Sequence, residues 1–501
     1  MNWREVFGGG DVPFAALFRD LALKARGRLD AKRLSAECLD RLEEHLVERL
    51  SDLCAPAMQG LFERFRKAGR GGFARFVETG PLDSLFARYP VLGKLAESVR
   101  EDWVAAAREL GARLDRDWPE VLRLAGVGAG GEAASSLRAG LSDPHHGGRS
   151  AVRLDFAGGR AVVYKPRGMG AEAAFEKTLA LLGMRAARTL DKGEYGWQEF
   201  IAAEECRSEQ EVQQFYRCAG ALLCVLYLLR GSDAHMGNVI AARSDAVLVD
   251  PECMLQPALL HDREGDIARP DEGALAGLLL RTAFLPRPES GGADLSGIGG
   301  AAGQLTDFRV PEWRDVNTDA MSLRMRAGRI KGQPNRARFG GTPVDATLYG
   351  AEIREGFAGA WRKIAELRRK KGGMEKLLAP WQEVDVRFLL RPTREYVEMI
   401  NASLRPSCLR DACVRRERIA RMLREGLIYE AFEAGEARAI ERLDIPRFTV
   451  PAGGGGVVPV KRCGLEAARR RLAAAGDESL RRAERVLKAL WILMDKDAFL
   501  H

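Results

Sequence analysis

No two of the nine cysteines in this 501-residue chain stand at Cys-x-x-Cys spacing, and their number is odd (positions 38, 54, 206, 218, 224, 253, 408, 413 and 463). That argues against a zinc knuckle and against a disulfide framework. Cys218 and Cys224 fall in an apolar helical pattern, where cysteine serves as a small hydrophobe. Long hydrophobic runs are missing too: the greasiest stretch, Ala219 to Leu229, is too short to span a bilayer. Met1-Asn2-Trp3-Arg4-Glu5-Val6-Phe7 lacks the layout of a signal peptide. A cytoplasmic protein without membrane insertion is expected. There is no internal repeat, and the formal charge of +8 has no basic tail behind it, because basic residues alternate with acidic ones, as in Arg415-Arg416-Glu417-Arg418. Nucleic acid is therefore not an expected partner, whereas a basic cleft suits ATP or an acidic peptide equally well.

What the chain does have is enough apolar content, 46%, for a sizeable core. From about Pro13 to Leu137 apolar residues recur at helical spacing, as in Leu39-Leu42-Leu46-Leu50 and Trp103-Ala107-Leu110-Leu114. Two β-prone runs, Arg149 to Phe156 and Arg160 to Tyr164, are then bridged by Ala157-Gly158-Gly159, a hairpin signal. Lys165 lies at the end of that hairpin, where an ATP-binding small lobe needs an ammonium to bridge phosphates; it also reads as an ordinary strand lysine with its head in water. A helix near Ala171 to Leu182, the segment Tyr195-Gly196-Trp197-Gln198-Glu199-Phe200 and a helix from Glu209 to Leu229 follow. This is the strand, helix, linker, helix, loop order of a two-lobed kinase. The Gly- and Ala-rich stretch from Glu289 to Gln304 reads as a mobile loop. Helices are expected at Thr347 to Lys371, Arg394 to Ala402, Asp411 to Leu443, Leu465 to Ala475 and Glu478 to Met494, with a turn at Gly453 to Gly456. The fold class expected is α+β, divided into a helical N-terminal region (1–138), an ATP-binding small lobe (139–230), a catalytic large lobe (231–460) and C-terminal helices (461–501).

The chemistry concentrates in Gly231-Ser232-Asp233-Ala234-His235-Met236-Gly237-Asn238, the apolar run Ala246-Val247-Leu248-Val249, and Asp250-Pro251-Glu252. Transfer of the γ-phosphoryl of ATP needs a carboxylate to orient the attacking hydroxyl, and an amide plus a second carboxylate to hold Mg²⁺ against the phosphates. Asp233, Asn238 and Asp250 supply these, and a strand running back beside the loop delivers Asp250 to the Asn238 carboxamide. Neither a His-Arg-Asp nor an Asp-Phe-Gly motif is present. The plainer reading is a polar loop before a buried strand that ends in Asp. Glu252 is either a third metal contact or a brace for the loop. A second constellation, Arg387-Phe388-Leu389-Leu390-Arg391-Pro392-Thr393 with Tyr396 after it, puts two guanidiniums and a hydroxyl on one segment that Pro392 should terminate. It can grip a phosphorylated group, or be a surface strand bearing ordinary arginines.

Together with Ser142-Asp143-Pro144-His145-His146-Gly147-Gly148-Arg149-Ser150, Val163-Tyr164-Lys165-Pro166-Arg167 and Gly196-Trp197-Gln198-Glu199-Phe200, these segments make the chain resemble, over a span from about Tyr89-Pro90 to Asp444-Ile445-Pro446, the N-terminal dehydratase domain of class II lanthipeptide synthetases, the LanM enzymes. The resemblance implies a lipid-kinase-like core with extensive additional helices. It implies a dehydratase that phosphorylates Ser and Thr of a ribosomal precursor peptide with ATP and Mg²⁺, then eliminates phosphate to leave dehydroalanine or dehydrobutyrine. By that resemblance Lys165 contacts ATP, Asp233 and His235 serve the catalytic loop, Asn238 and Asp250 hold Mg²⁺, and Arg387 and Thr393 serve elimination. The chain departs from the family at Gly237, where Glu is usual, and at Pro251, where an aliphatic residue is usual. Full-length LanM proteins carry a zinc cyclase with an adjacent Cys-His pair, and no such pair occurs here. No zinc is expected, and ring formation is expected to fall to a separate cyclase or not to occur. A peptide or small-molecule kinase without elimination, and a catalytically silent leader-peptide-binding partner, are the other readings; the intact Lys165, Asp233, Asn238 and Asp250 speak against the silent one. His145 and His146 better fit a phosphate-proximal or solvated loop than a metal site. Trp197 is expected in the core and His261 in an ordinary loop, while Glu199 or Glu176 is expected to pair with Lys165.

Overall fold

The computed structural model describes residues 11–128, 133–259, 270–287, 293–426, 429–455 and 460–494, so His261 lies outside the described residues. The chain is a mixed helix and sheet protein, about half helical, and no described helix is long and apolar enough to cross a membrane. It divides into two compact units, each assembled from three stretches of sequence.

The first unit comprises Met1–Pro166, Phe308–Gly328 and Leu390–Arg447. Its long helices are Ala36–Lys67 and Pro90–Ala125; the former starts on Ser35, whose hydroxyl accepts the Cys38 N–H, a standard way to satisfy a first-turn donor. The stripes that predicted these helices are their buried faces: Leu42, Leu46 and Leu50 on one, Trp103, Ala107, Leu110 and Leu114 on the other. Phe14, Phe62, Phe73 and Phe76 cluster at one end, with ring centroids 5.3–6.4 Å apart. Strands Ser136–Arg138, Val152–Phe156 and Arg160–Lys165 form an antiparallel meander in which Leu154 faces Val162 and Val152 faces Tyr164. The turn between the last two uses Gly158 and Gly159 at φ 73° and 71°, as the hairpin reading required. Buried Tyr164 accepts a hydrogen bond from Arg113 (2.5 Å), yet burial pushes its hydroxyl up to a pKa of about 12.

The Ser142–Ser150 motif turns out to be an internal carboxylate clasp. Positive φ at His146, Gly147 and Gly148 (47°, 85° and 72°) turns the N–H groups of both glycines onto the Asp444 carboxylate, at 2.5 and 2.8 Å. His145 Nδ1 meets the Ile445 carbonyl at 2.6 Å, so that nitrogen carries a proton and donates. The motif and the Asp444-Ile445 segment, about 300 residues apart in sequence, are conformational partners.

Helices Thr393–Ser403, Ala412–Glu425 and Glu430–Glu441 close the first unit around Tyr396, Ile419, Leu423, Ile440 and Ile445. The single helical stretch expected from Asp411 to Leu443 is thus two helices, the first ending against Gly426, where any side chain would collide with the Arg391 guanidinium. Arg391 is no surface arginine. Its side chain is 2% exposed and that of its partner Glu436 1%, with Nε donating to Oε1 at 2.6 Å, and Tyr396 donates to the same oxygen at 2.8 Å. Removing one partner of such a buried pair strands the other charge. Glu436→Ala is therefore expected to lower unfolding stability by about 3 kcal/mol in a urea titration, whereas a change within about 0.5 kcal/mol would contradict the pairing.

The second unit comprises Arg167–Asp307, Arg329–Leu389 and Phe448–His501. Its axis is helix Glu209–Leu228, capped by Ser208 and buried along most of its length, packed on helix Gly350–Arg369. The crossing is close because Gly220 lies against the Ile353 carbonyl and Gly356 against the Arg217 carbonyl, leaving no room for a Cβ. Helix Gly170–Leu181 is pinned by Trp381, whose indole N–H donates to Thr178 at 2.9 Å. Trp197, in the hairpin Thr189–Asp191/Gly196–Glu199, is fully buried, a core anchor as expected. A second hairpin pairs Val239–Ala242 with Asp245–Leu248.

The stretch read as a mobile loop is corrected for its described part, 293–304; residues 289–292 lie outside the described residues. It is tied down: Met236 N donates to Leu295 O (2.9 Å), Gly297 N to Ala283 O (2.9 Å), and Asn335 Nδ2 to the carbonyls of Gly297 and Gly300 (2.9 and 3.2 Å). Its glycines serve close approach, since a Cβ on Gly297 would strike the Ala234 carbonyl and Phe284.

Candidate active site

Helix Glu209–Leu228 delivers the chain to a loop zipped onto the segment after Asp250. Leu229 O accepts from Leu255 N (2.9 Å), Arg230 O from Gln256 N (3.0 Å), and Ser232 N donates to Cys253 O (3.0 Å). The Arg230 guanidinium fixes the far side by donating to the carbonyls of Gln256 (2.7 Å) and Pro257 (3.2 Å). Asp233 follows at φ 62°, a left-handed conformation that Asp tolerates better than most residues but that still costs about 1–3 kcal/mol. The next residues hold it there: Ala234 N donates to Thr282 O (2.9 Å) and Met236 N to Leu295 O.

This strained turn sets the side chains. His235 Nδ1 accepts the Gly237 N–H at 3.0 Å, which puts the proton of the neutral ring on Nε2, the nitrogen 3.9 Å from Asp233 Oδ1. Gly237, the first departure from the family, contributes through its backbone. Asn238 Nδ2 donates to the Asp233 carbonyl (2.9 Å), fixing the carboxamide so that Oδ1 points the other way. The hairpin then turns back: Val239 pairs with Leu248, and Val249 N donates to Asn238 O (2.9 Å), so the strand returns the backbone just before Asp250 to Asn238. Pro251, the second departure, opens a turn closed by Met254 N on Pro251 O (3.3 Å), where a fixed φ fits.

Behind Asp250 lies a chain of charges. Arg167 NH2 donates to both Asp250 Oδ1 and Glu172 Oε1 at 2.6 Å, and Arg167 Nε to Glu252 Oε2 at 3.0 Å. Glu252 Oε1 accepts from Arg387 NH1 at 2.7 Å, and the Glu252 carbonyl accepts the Arg387 N–H at 2.7 Å. Arg387 sits on strand Asp385–Phe388, paired with Phe448–Pro451, and Gln256 Nε2 donates to its carbonyl (2.7 Å). Burial alone would lower both guanidinium pKa values, but the neighbouring carboxylates, Glu172, Glu252 and Asp250 at Arg167 and chiefly Glu252 at Arg387, outweigh it and raise them.

Cys253 completes the floor, its thiol 3.9 Å from Asp233 Oδ2. Burial first, then the Asp233 charge, pushes this thiol well above the ordinary range, so it stays protonated and unreactive. Iodoacetamide at pH 8 is expected to label exposed Cys413 and leave Cys253 unmodified in the folded protein, as read by peptide mass mapping. Rapid labelling of Cys253 would contradict its placement.

Of the residues singled out from the sequence, Asp233, His235, Asn238, Asp250, Glu252 and Arg387 occupy one hydrogen-bonded assembly of the second unit. Lys165 and Thr393 belong to the first unit: Lys165 ends strand Arg160–Lys165 at 7% exposure, and Thr393 opens helix Thr393–Ser403 directly after Pro392. Glu199 pairs with Arg188 (3.1 Å), and Glu176 accepts the Thr189 N–H (2.8 Å). Arg167 and Glu172 were missed. The available signal was Arg167 itself, two residues after Lys165 in a family segment.

The donor set fits a hard divalent cation. Asn238 and Asp250 present amide and carboxylate oxygen, and Asp233, Glu172, Asp250 and Glu252 carry four formal negative charges against two on Arg167 and Arg387. Among the described residues, no three His, Cys, Asp or Glu side chains form a ready-made cage. An amide and a carboxylate would be enough for Mg²⁺, which is commonly held by one or two carboxylates with substrate phosphates supplying the rest.

The family described as Domain of unknown function (DUF4135) matches residues 89–451, well over half of the chain. The chain is also 25% identical over 286 residues to the lacticin 481/lactococcin biosynthesis protein LcnDR2 of Lactococcus lactis subsp. lactis. That alignment covers 52% of this chain but 30% of the relative, so the chain spans less than a third of that protein's length. By the extent of the family match the chain belongs to the DUF4135 family, the domain found in LanM-type lanthipeptide synthetases.

Proposed function

We propose that this protein is a lanthipeptide dehydratase with a lipid-kinase-like core: it phosphorylates Ser and Thr of a ribosomal precursor peptide from ATP, then eliminates the phosphate. The observation that carries the reading is the connection of Asp233, Asn238 and Asp250 to Arg387 through the Glu252 carboxylate, because it joins a kinase-type constellation to an anion-binding guanidinium.

In the first half-reaction Asp233 orients the substrate hydroxyl and accepts its proton, while the hydroxyl oxygen bonds to the γ-phosphorus as the bond to ADP breaks. His235 serves the same loop, its Nε2 standing 3.9 Å from Asp233 Oδ1, and Lys165 is assigned to the nucleotide phosphates by the resemblance alone. Asn238 and Asp250 would hold Mg²⁺, which neutralises phosphate charge when bound. Glu252, with both carboxylate oxygens already engaged by guanidiniums, serves as a brace. In the second half-reaction a base takes the α-proton, the Cα–H electrons form the Cα=Cβ bond, and the Cβ–O pair leaves with phosphate. Arg387 binds that departing dianion, and Thr393 is assigned to the same half-reaction by the resemblance alone.

Label in the γ-phosphoryl of ATP tests this sequence. It should appear transiently on the peptide and end as inorganic phosphate. Label retained on the peptide identifies a kinase that stops at the ester, and no labelled peptide at any time rules out phosphoryl transfer.

A further inference from the structure

We propose that Arg167 is a positioning residue that aims Asp250 at the cation and couples it, through Glu252, to the phosphate-binding Arg387. The inference deepens the dehydratase reading and rests on it.

One guanidinium engages three carboxylates from two elements. Glu172, in the first turn of helix Gly170–Leu181 and 1% exposed at its side chain, anchors Arg167 to that helix. Asp250 and Glu252, from the turn after the hairpin, hang on the same fork at 2.6 and 3.0 Å. The three acids are not equally covered: Asp250 keeps 27% of its side chain exposed, against 1% and 6% for Glu172 and Glu252. Asp250 is therefore the only one of the three with a substantial open face, and Arg167 grips it at Oδ1. A carboxylate on a short side chain swings freely unless a neighbour fixes it, and outer partners of metal ligands are worth about 10–100-fold in affinity for that reason. Three fixed directions of donation suit a planar fork and do not suit the single point charge of lysine. Glu252 transmits the constraint, with one oxygen on Arg167 and the other on Arg387, so the metal ligand and the elimination guanidinium share one rigid strut.

The test uses the full-length protein and the variants R167K and E172Q; R167K keeps the buried positive charge, and E172Q leaves Arg167 intact but loosens its anchor. Mn²⁺ binding in the presence of ADP is measured by isothermal titration, alongside the Mg²⁺ dependence of peptide phosphorylation and the thermal midpoint. The expected result for R167K is Mn²⁺–ADP affinity weakened about tenfold, a parallel rise in the Mg²⁺ needed for half-maximal rate, rescue of that rate by excess Mg²⁺, and accumulation of phosphorylated peptide. E172Q should shift in the same direction by less. Unchanged Mn²⁺ affinity in R167K, with or without a lower thermal midpoint, makes the contact merely structural and overturns the inference alone. A wild-type protein that neither binds Mn²⁺–ADP nor phosphorylates the peptide overturns the dehydratase reading, and this inference with it.

Discussion

Asp250→Ala is expected to abolish all modification of the peptide, with the phosphorylation rate falling by a factor on the order of 10³. The residue is the exposed end of a buried charge network, and neither of the other carboxylates on Arg167 can replace it. Glu252 is committed to Arg167 and Arg387, and Glu172 is buried at 1% exposure behind Arg167. Loss of the carboxylate also frees Arg167 NH2 to place a positive charge where the cation belongs. The variant should leave unmodified peptide as the only species by intact mass, with no phosphorylated intermediate. Phosphorylated peptide in appreciable amount would show that Asp250 is not needed for the first half-reaction.

Arg387→Ala and Thr393→Ala are expected to separate the two half-reactions, leaving peptide heavier by about 80 Da per site because phosphate is added but not expelled. Elimination should slow by a factor on the order of 10²–10³, the usual effect of losing one donor to a developing anion. Arg387→Ala should also slow phosphorylation somewhat, because Glu252 loses one of its two guanidinium partners; Thr393→Ala should not. The contrast is a check on the strut as well as on the elimination role. Complete dehydration by both variants would remove Arg387 and Thr393 from the chemistry.

The centre of the site was legible because its logic is local. Asp233, His235 and Asn238 lie on one loop, and the run Ala246–Val249 reads as a short strand that can return to it. The hairpin before Lys165 was equally readable from its glycines. What escaped depends on contacts distant in sequence. Arg167 acquires its importance from Asp250 and Glu252, more than eighty residues away, and arginine at a strand end carries no period that reveals such partners. The clasp between Gly147, Gly148 and Asp444 escaped for the same reason: the glycine segment stands out in the sequence, but nothing in it points to a carboxylate about 300 residues away. Composition misled once. Glycine in 293–304 was taken for freedom, where it allows backbone to pack against Ala234 and Met236. The ribbon of Leu305–Arg314 and Ser322–Arg329 went unseen although Phe308-Arg309-Val310 and Leu323-Arg324-Met325-Arg326-Ala327 alternate apolar with polar residues, the pattern of a strand with one face covered.

The most direct measurement is the intact mass of the precursor peptide after incubation with the purified protein, ATP and Mg²⁺. The account predicts a ladder of losses of about 18 Da per Ser or Thr, preceded at early times by species about 80 Da heavier. Peptide that gains about 80 Da and never loses it, or that dehydrates with no phosphorylated species at any time, would contradict it.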